Sequence, residues 1–528
     1  MNPSVRRNGR AVLFATATLI VLVLAYIPII RTHGGWEDEV YWASTCLSIL
    51  RHKGSIPSVL ADFPRPASPL RFYGPTMFWI EVAVLKVFGF SVRTWRSFTF
   101  AGDIAYLAGI AVLFYRLRRS WTVAMGAALF CALSIAFSFE VSLPGRPDSW
   151  TLALVVFAMA VAAPDRADGQ PDGAGARRWL AFGALLGVAA STTPRVWPLL
   201  VLMMLLLPVR IGRGSIRATA LAAVSCLVVW SLILLPLRIT IWGFAAGVRQ
   251  ASAGDAIDVS PLIGGRWSFG HATTQVVYFG ALLFVIGLVD LTRWRQVARF
   301  QHWLIAVAVL NLAATVLLTA RSLNMFFYWG FLIEIAALCA WIEAVPGVRL
   351  RVARAIGLLL FIFMITLRIA RETPVLMHWG QRNPRLVEQE LRANIPTGSV
   401  VYGMPGRYFY PSLAIGADYR SPVDSTSPGR ASTPGHPGLP APMRDACHAA
   451  AFLIWPAGAD AQPLPPTPYA TPEPVATYSR PLEQPSVFEQ FIERVPGGRS
   501  GEEPHEVTIY RLLPSPQYCR EIASAPVH

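Results

Sequence analysis

Along the first 370 residues long apolar runs alternate with short polar breaks, and after Arg371 that pattern stops. Runs near residues 11–30, 94–115, 121–139, 149–163, 179–193, 196–209, 218–237, 273–291, 302–320, 325–342 and 355–370 approach the roughly 20 residues that a helix needs to cross about 30 Å of hydrocarbon. They predict a polytopic α-helical membrane protein with about eleven spans, the shorter ones tilted or re-entrant. The first run, "AVLFATATLIVLVLAYIPII", is too long for a cleavable signal peptide and lacks a small-residue cleavage site, so it is expected to remain as a signal anchor. Between the first two runs, residues 31–93 form one long loop. Within it "PTMFWIEVAVLKVFGF" carries Glu81 and Lys86 and has aromatic residues at both ends, which predicts a helix lying in the membrane interface. The helical period from Tyr41 to Leu50 predicts a second one.

Charge orients this pattern. The chain is 54% hydrophobic, only 15% charged, and carries a formal net charge of +15. In a soluble protein that excess would suggest a nucleic-acid partner, but here the cations fall in clusters between apolar runs. The clusters are Arg6, Arg7 and Arg10; Arg116, Arg118 and Arg119; Arg166, Arg177 and Arg178; Arg210, Arg213 and Arg217; Arg293, Arg295 and Arg299; and Arg349, Arg351 and Arg354. With all of them inside, the N-terminus is cytoplasmic and the C-terminus is exported.

After Arg371 proline, glycine and polar residues dominate, and "SVVYG", "AFLIWP" and "VTIYRL" read as short buried strands. With the helical "ELRANIP" segment they predict a small α/β domain over residues 371–528, following a transmembrane domain over residues 1–370. "PVDSTSPGRASTPGHPGLPAP" and "AQPLPPTPYATPEP" read as loops. Of the six cysteines only Cys447 and Cys519 lie in this polar part, and an exported location fits a disulfide between them.

Candidate chemistry gathers at the outer side. Arg65, Arg71, Arg93, Arg96, Arg146, Arg195, Arg266 and Arg321 all fall there, against the inside bias. A cation near hydrocarbon is costly unless it meets an anion, and Glu37, Asp38, Glu39, Glu140 and Asp148 are available acids on the same side. Arginine's planar fork equally suits a lipid phosphate. The acids and arginines are expected at this surface rather than at span centres. "GGWEDEVYW" places three carboxylates between two tryptophans just after the first span, although a solvated loop tolerates such a triplet without any function.

"GGWEDEVYWASTCLSILRHKGSIP", "YGPTMFW", "SVRTWRSFTFAGDIAYLAGIAVLFYRLRRSW" and "LPGRPDSWTLALVVFAMA", in this order, resemble the polyprenyl-phosphate-sugar-dependent glycosyltransferases of the GT-C superfamily. The pattern is similar to the protein O-mannosyltransferases and to the aminoarabinose transferase that modifies lipid A. The match covers residues 11–200 and, more loosely, 300–345. The resemblance implies a GT-C fold and inverting transfer of a hexosyl or pentosyl group from a lipid phosphate to an acceptor on the outer face. Asp38 matches the family's catalytic aspartate. Glu39 is its neighbour, orienting the acceptor or sharing the load, and Glu37 belongs to the solvated loop. Desolvation beside Trp36 and Trp42 would raise the base into a useful range.

For substrate binding the resemblance points to Arg71, Tyr73, Arg146, Asp148, Arg195, Arg321 and Tyr328. Tyr73, Gly74 and Pro75 stand where many relatives have Lys-Pro-Pro, so Arg71 is the substitute cation, and "TTPRVW" supplies Arg195 where relatives have Thr-Lys-Gly. Arg146 and Asp148 either touch the substrate or fix the second outer loop as a structural pair. In "ARSLNMFFYWG", Arg321 and Tyr328 stand where relatives hold the donor, though an aromatic belt also explains the tyrosine.

No cofactor is expected. His33 has no second histidine at ligand spacing, so no metal site is indicated, and the absence of a glycine-rich phosphate loop argues against ATP-driven work. The expected partners are a polyprenyl-phosphate-sugar donor lipid, a glycolipid, glycan or protein acceptor, and membrane lipids. The expected location is a bacterial inner membrane, facing the periplasm and the cell envelope with its lipopolysaccharide. The competing reading is a transporter or flippase of lipid-linked saccharides, which internal repeats with broken helices would favour. No such repeat is seen.

Overall fold

The computed structural model describes residues 3–31, 37–55, 57–60, 70, 73–134, 137, 148–164, 175–211, 215–252, 269–291, 295, 298–318, 327–343, 348–377, 384–403, 408–420, 423–424, 439–440, 447–456, 464, 470–479, 506–517 and 519–520. Helices stand near the predicted apolar runs, with α11 in addition: α1 (Pro3–Arg31), then the loop helices α2 (Glu37–Leu50) and α3 (Pro75–Phe88), then α4 (Val92–Arg118), α5 (Trp121–Leu133), α6 (Asp148–Ala162), α7 (Ala176–Ala190), α8 (Trp197–Leu205), α9 (Leu207–Ile211), α10 (Ser215–Leu234), α11 (Ile241–Ser252), α12 (Phe269–Val289), α13 (Arg299–Leu318), α14 (Phe327–Glu343) and α15 (Val348–Met377). Among the described residues Gly9–Tyr26, Val92–Arg118, Ile216–Leu237 and Val348–Ile369 are long and apolar enough to cross a membrane by length and composition; Trp121–Leu133, Asp148–Ala162, Pro194–Leu205, Val277–Val289 and Gly330–Ile342 are shorter apolar helices. The expected span 196–209 is broken at Leu206 into α8 and α9.

Local chemistry sets the helix ends. Ser91 caps α4 by accepting from the Thr94 N–H at 3.1 Å, and Ser120 caps α5 from the Val123 N–H. At the C-terminal ends arginines donate to orphan carbonyls: Arg118 to Ile342 at 2.6 Å, Arg210 to Ala162 at 3.1 Å, Arg299 to Ile211 at 3.3 Å, and Arg178 to Val161 and Ala163. A cation there also meets the negative end of the helix dipole. These bonds gather four of the basic clusters at one end of the bundle. The opposite end holds the starts of α4 and α6 and the end of α7, where Ser149 donates to the Thr99 carbonyl and Trp150 to that of Phe98, both at 3.1 Å.

The bundle packs through small residues. A Cβ on Gly183 would lie 2.1 Å from the Ala222 carbonyl oxygen, and one on Gly187 2.6 Å from that of Cys226, so these two glycines let the backbones of α7 and α10 touch. One expectation is corrected inside the bundle. Asp103, Asp290, Glu334 and Arg368 are buried within the helices rather than held at the outer surface. Tyr278 donates to Glu334 at 3.0 Å and Gln301 to Asp290 at 2.7 Å, and such pairing is what makes burial tolerable.

Beyond α15 come α16 (Pro384–Asn394), β1 (Val400–Gly403), α17 (Phe409–Ala414), β2 (Asp418–Arg420), β3 (Val423–Asp424), β4 (Leu439–Pro440), β5 (Ala451–Pro456), β6 (Ala470–Ser479) and β7 (Glu506–Pro514). The main sheet has the order β2-β1-β5-β7-β6, parallel about β1 and antiparallel about β7, and β3 pairs antiparallel with β4. The segment expected as the loop "AQPLPPTPYATPEP" ends instead in β6. Its Pro472 and Pro474 lack ladder donors, which an edge strand tolerates, and the register shifts between Pro474 and Ala476. Cys447 and Cys519 are disulfide-bonded, with Cα atoms 5.5 Å apart.

The sheet is not a detached appendage. Its inner residues Tyr402, Tyr419 and Phe452, with Phe409 and Tyr410 of α17, share one apolar core with Val40, Trp42 and Cys46 of α2, Phe78 of α3 and Trp95 of α4.

Candidate functional site

The first turn of α2 follows α1 after a short connection and carries Glu37, Asp38 and Glu39. Val40, its fourth residue, and Trp42 are buried, as is every residue from Glu39 to Ser48, so the helix is enclosed on all sides. Trp42 stacks on Phe78 of α3 with centroids 4.3 Å apart and meets the edge of Tyr73 at 4.9 Å. Aromatic contact thus ties the acid-bearing helix to the start of α3.

Glu39 is wholly buried and chelated. Arg96 donates from Nε to Oε1 at 2.8 Å and from its terminal nitrogen to Oε2 at 3.1 Å, and the Tyr410 hydroxyl donates to Oε1 at 2.8 Å. The Arg96 guanidinium also lies 5.6 Å from the centroid of the Tyr410 ring. Burial first, and then the Glu39 carboxylate, hold the Tyr410 phenol well above its ordinary range, so it stays a donor. With both oxygens engaged by α4 and α17, Glu39 holds the first turn of α2 in place and is closed to an acceptor.

A second buried carboxyl lies one layer away. Glu81 of α3 accepts from the Cys46 thiol at 3.7 Å. Burial pushes it well above the usual carboxylate range, and the thiol opposes that only in part. At the far end of α2, Arg51 reaches Asp418 of β2 at 2.9 Å. Burial alone would raise Asp418, but the Arg51 hydrogen bond and the Arg420 charge outweigh it and lower its pKa.

The end of α7 meets the start of α3 backbone to backbone. Gly74 N–H donates to the Thr192 carbonyl at 3.2 Å and Thr76 N–H to that of Ser191 at 3.4 Å. A Cβ on Gly74 would fall 1.7 Å from the Ser191 oxygen, so the approach requires glycine. Just beyond, Arg195 donates to the Tyr73 hydroxyl at 3.2 Å, its guanidinium 5.6 Å from that ring's centroid. Thr151 of α6 and Thr192 join hydroxyls at 2.5 Å. Asp148, buried at the first position of α6, has the place where a carboxylate meets the positive end of the helix dipole.

The structure therefore brings Glu39, Tyr73, Asp148 and Arg195 to one end of the bundle. The backbones of Asp38 and Tyr328 stand in the first turns of α2 and α14. Their side chains, and all of Arg71, Arg146 and Arg321, lie outside the described residues. Tyr410 was missed in the sequence because it lies 371 positions from its partner and no local pattern links them. Arg96 was visible as an outer cation, without its partner.

No protein-family model matches the chain, and no curated protein does. Among solved structures it is similar to the oligosaccharyltransferase of Archaeoglobus fulgidus in complex with zinc and sulfate, at 14% identity and a TM-score of 0.47 over 83% of this chain and 67% of that one. The same enzyme, AglB, in complex with an inhibitory peptide and a dolichol-phosphate gives 14% and 0.48 over 76% of this chain and 64% of that one, so there the chain spans less than two thirds of its length. ArnT from Cupriavidus metallidurans bound to undecaprenyl phosphate gives 14% and 0.36 over 84% and 93%.

Proposed function

We propose that the chain is an integral membrane glycosyltransferase that moves a sugar from a polyprenyl-phosphate donor to a glycolipid, glycan or protein acceptor at the outer face of the membrane. The observation that carries this reading is the assembly of four separate sequence motifs, around Glu39, Tyr73, Asp148 and Arg195, at the end of the bundle opposite the arginine-capped helix ends. In the reaction Asp38 takes the proton of the acceptor hydroxyl while that oxygen attacks the anomeric carbon. The bond from that carbon to the phosphate oxygen breaks, and polyprenyl phosphate leaves with the electron pair, so the anomeric configuration inverts. Cations beside the departing phosphate stabilise its charge, the role given to Arg195, Arg71 and Arg321. Tyr73 orients Arg195, and Arg146, Asp148 and Tyr328 complete the substrate walls. Glu39 acts through position rather than by touching the acceptor.

The test pairs sugar transfer with lipid-donor binding. Asp38→Asn keeps nearly the same volume but cannot accept a proton, and transfer should fall roughly 10²- to 10⁴-fold while donor affinity holds. Arg195→Ala should weaken donor binding itself. Near-normal transfer by correctly inserted Asp38→Asn protein sinks the mechanism.

One observation favours the second reading, transport of a lipid-linked saccharide. Asp103 of α4 and Arg368 of α15 are buried inside the bundle, close enough for their charges to interact. A path through the bundle would make Asp103→Asn abolish lipid translocation and leave Asp38→Asn harmless, the reverse of the pattern expected here.

A further inference from the structure

A helix of 14 residues is too short to hold its own direction in water. What orients it is tertiary. Its first turn is held by Glu39 in the bidentate grip of Arg96 with Tyr410 as a third donor. Its far end is held by Arg51 on Asp418. The two anchor residues are 12 positions apart, about 18 Å along a helix at 1.5 Å per residue. Tyr410 and Asp418 both belong to the α17–β2 segment, so one rigid piece of the sheet unit grips both ends of the helix. Between the anchors Phe409 and Tyr419 pack into the same apolar core as Trp42. Two anchors that far apart fix the direction of α2 and its rotation about its axis, and the rotation decides where its first-turn acids point.

We propose that the C-terminal sheet unit is an integral part of the active end, and that Tyr410 is a positioning residue: by donating to Glu39 it sets the first turn of α2 and with it the adjacent Asp38. The consequence for chemistry rests on the glycosyltransferase reading; the bracing of α2 does not. Tyr410 touches no reacting atom. Its effect is geometric, and a misplacement of about 1 Å in a reacting group is enough to cost 10²-fold in rate.

The experiment uses the full chain in detergent or nanodiscs and has two arms. In hydrogen exchange, Tyr410→Phe should speed the amides of residues 41–44, which bond back to the first turn, and leave residues 47–50 protected. Asp418→Asn should do the reverse. In kinetics with a polyprenyl-phosphate-sugar donor, Tyr410→Phe should lower kcat roughly tenfold with donor KM within about twofold, and should add little in a Glu39→Gln background, since both act through one network. Unchanged exchange across residues 41–44 in Tyr410→Phe overturns the bracing. A raised KM with kcat intact overturns the positioning role. A wild-type protein that transfers no lipid-linked sugar, yet shows the expected exchange pattern, sinks the catalytic reading and leaves the brace standing.

Discussion

Glu81 shows how one side chain ties structure to pH. Buried beside Cys46, its carboxyl prefers the neutral form, so its folded pKa stands above the unfolded value of about 4.3. A raised carboxyl contributes stability that is complete below the unfolded pKa and is lost as pH rises towards the folded one. Glu81→Gln keeps the shape and abolishes the titration. Its melting temperature should match wild type near pH 4 and exceed it at pH 7 to 8, as read by thermal unfolding in detergent across that range. A constant gap between the two proteins would show that Glu81 does not titrate with folding. Glu39 is bonded through both oxygens by Arg96, so the two acids of neighbouring helices differ in partner rather than in type. Neither partner was visible in the sequence, which sets Glu39 beside Asp38 as a catalytic candidate and reads Glu81 as one more polar residue on an interface helix.

At the scale of elements, the junction between α3 and α7 depends on one missing side chain. An alanine at residue 74 would drive its Cβ into the Ser191 carbonyl, and backbone cannot yield as a flexible side chain does. Gly74→Ala should therefore lose the bonds to Thr192 and Ser191, separate Tyr73 from Arg195, and cost about 3 kcal/mol. Gly280→Ala, whose added Cβ meets nothing within 4 Å, is the control and should be neutral or slightly stabilising. Thermal unfolding of the pair separates the two outcomes; equal melting temperatures would remove the close approach as a structural requirement. The amphipathic α11 was not foreseen. Its Phe244 packs against Trp197 and Trp230, contacts that a short sequence window cannot anticipate.

Over the whole molecule, the disulfide belongs to the sheet unit, whereas the arginines cap helix ends of the bundle. Cys447 and Cys519 close 72 positions of chain, a loop whose constraint contributes about 4 kcal/mol to the sheet unit in the chain-entropy account. Cys46, Cys131, Cys226 and Cys339 are buried thiols outside that disulfide. Protein purified without reductant and then unfolded should thus alkylate at those four positions, and at all six cysteines after reduction. Alkylation of all six without reduction would remove the bond. A reporter fused after Arg371 should report an exported location, and a cytoplasmic signal there would overturn the topology read from the basic clusters.

The sequence by itself determined the places of most of the helices, α11 and the break at Leu206 excepted, because apolar runs of that length have few other solutions and Arg-rich breaks mark where they end. It also determined β1, β5 and β7 through their apolar, β-branched runs, and it named Glu39, Tyr73, Asp148 and Arg195 among its site candidates. Only the tertiary structure decided what each of them touches. The pairing of Glu39 with Arg96 and Tyr410, the edge position that lets β6 hold two prolines, and the burial of Asp103, Glu334 and Arg368 among the helices are set by contacts between distant segments. A residue's chemistry follows from its neighbours and its exposure, and neither has a period along the chain.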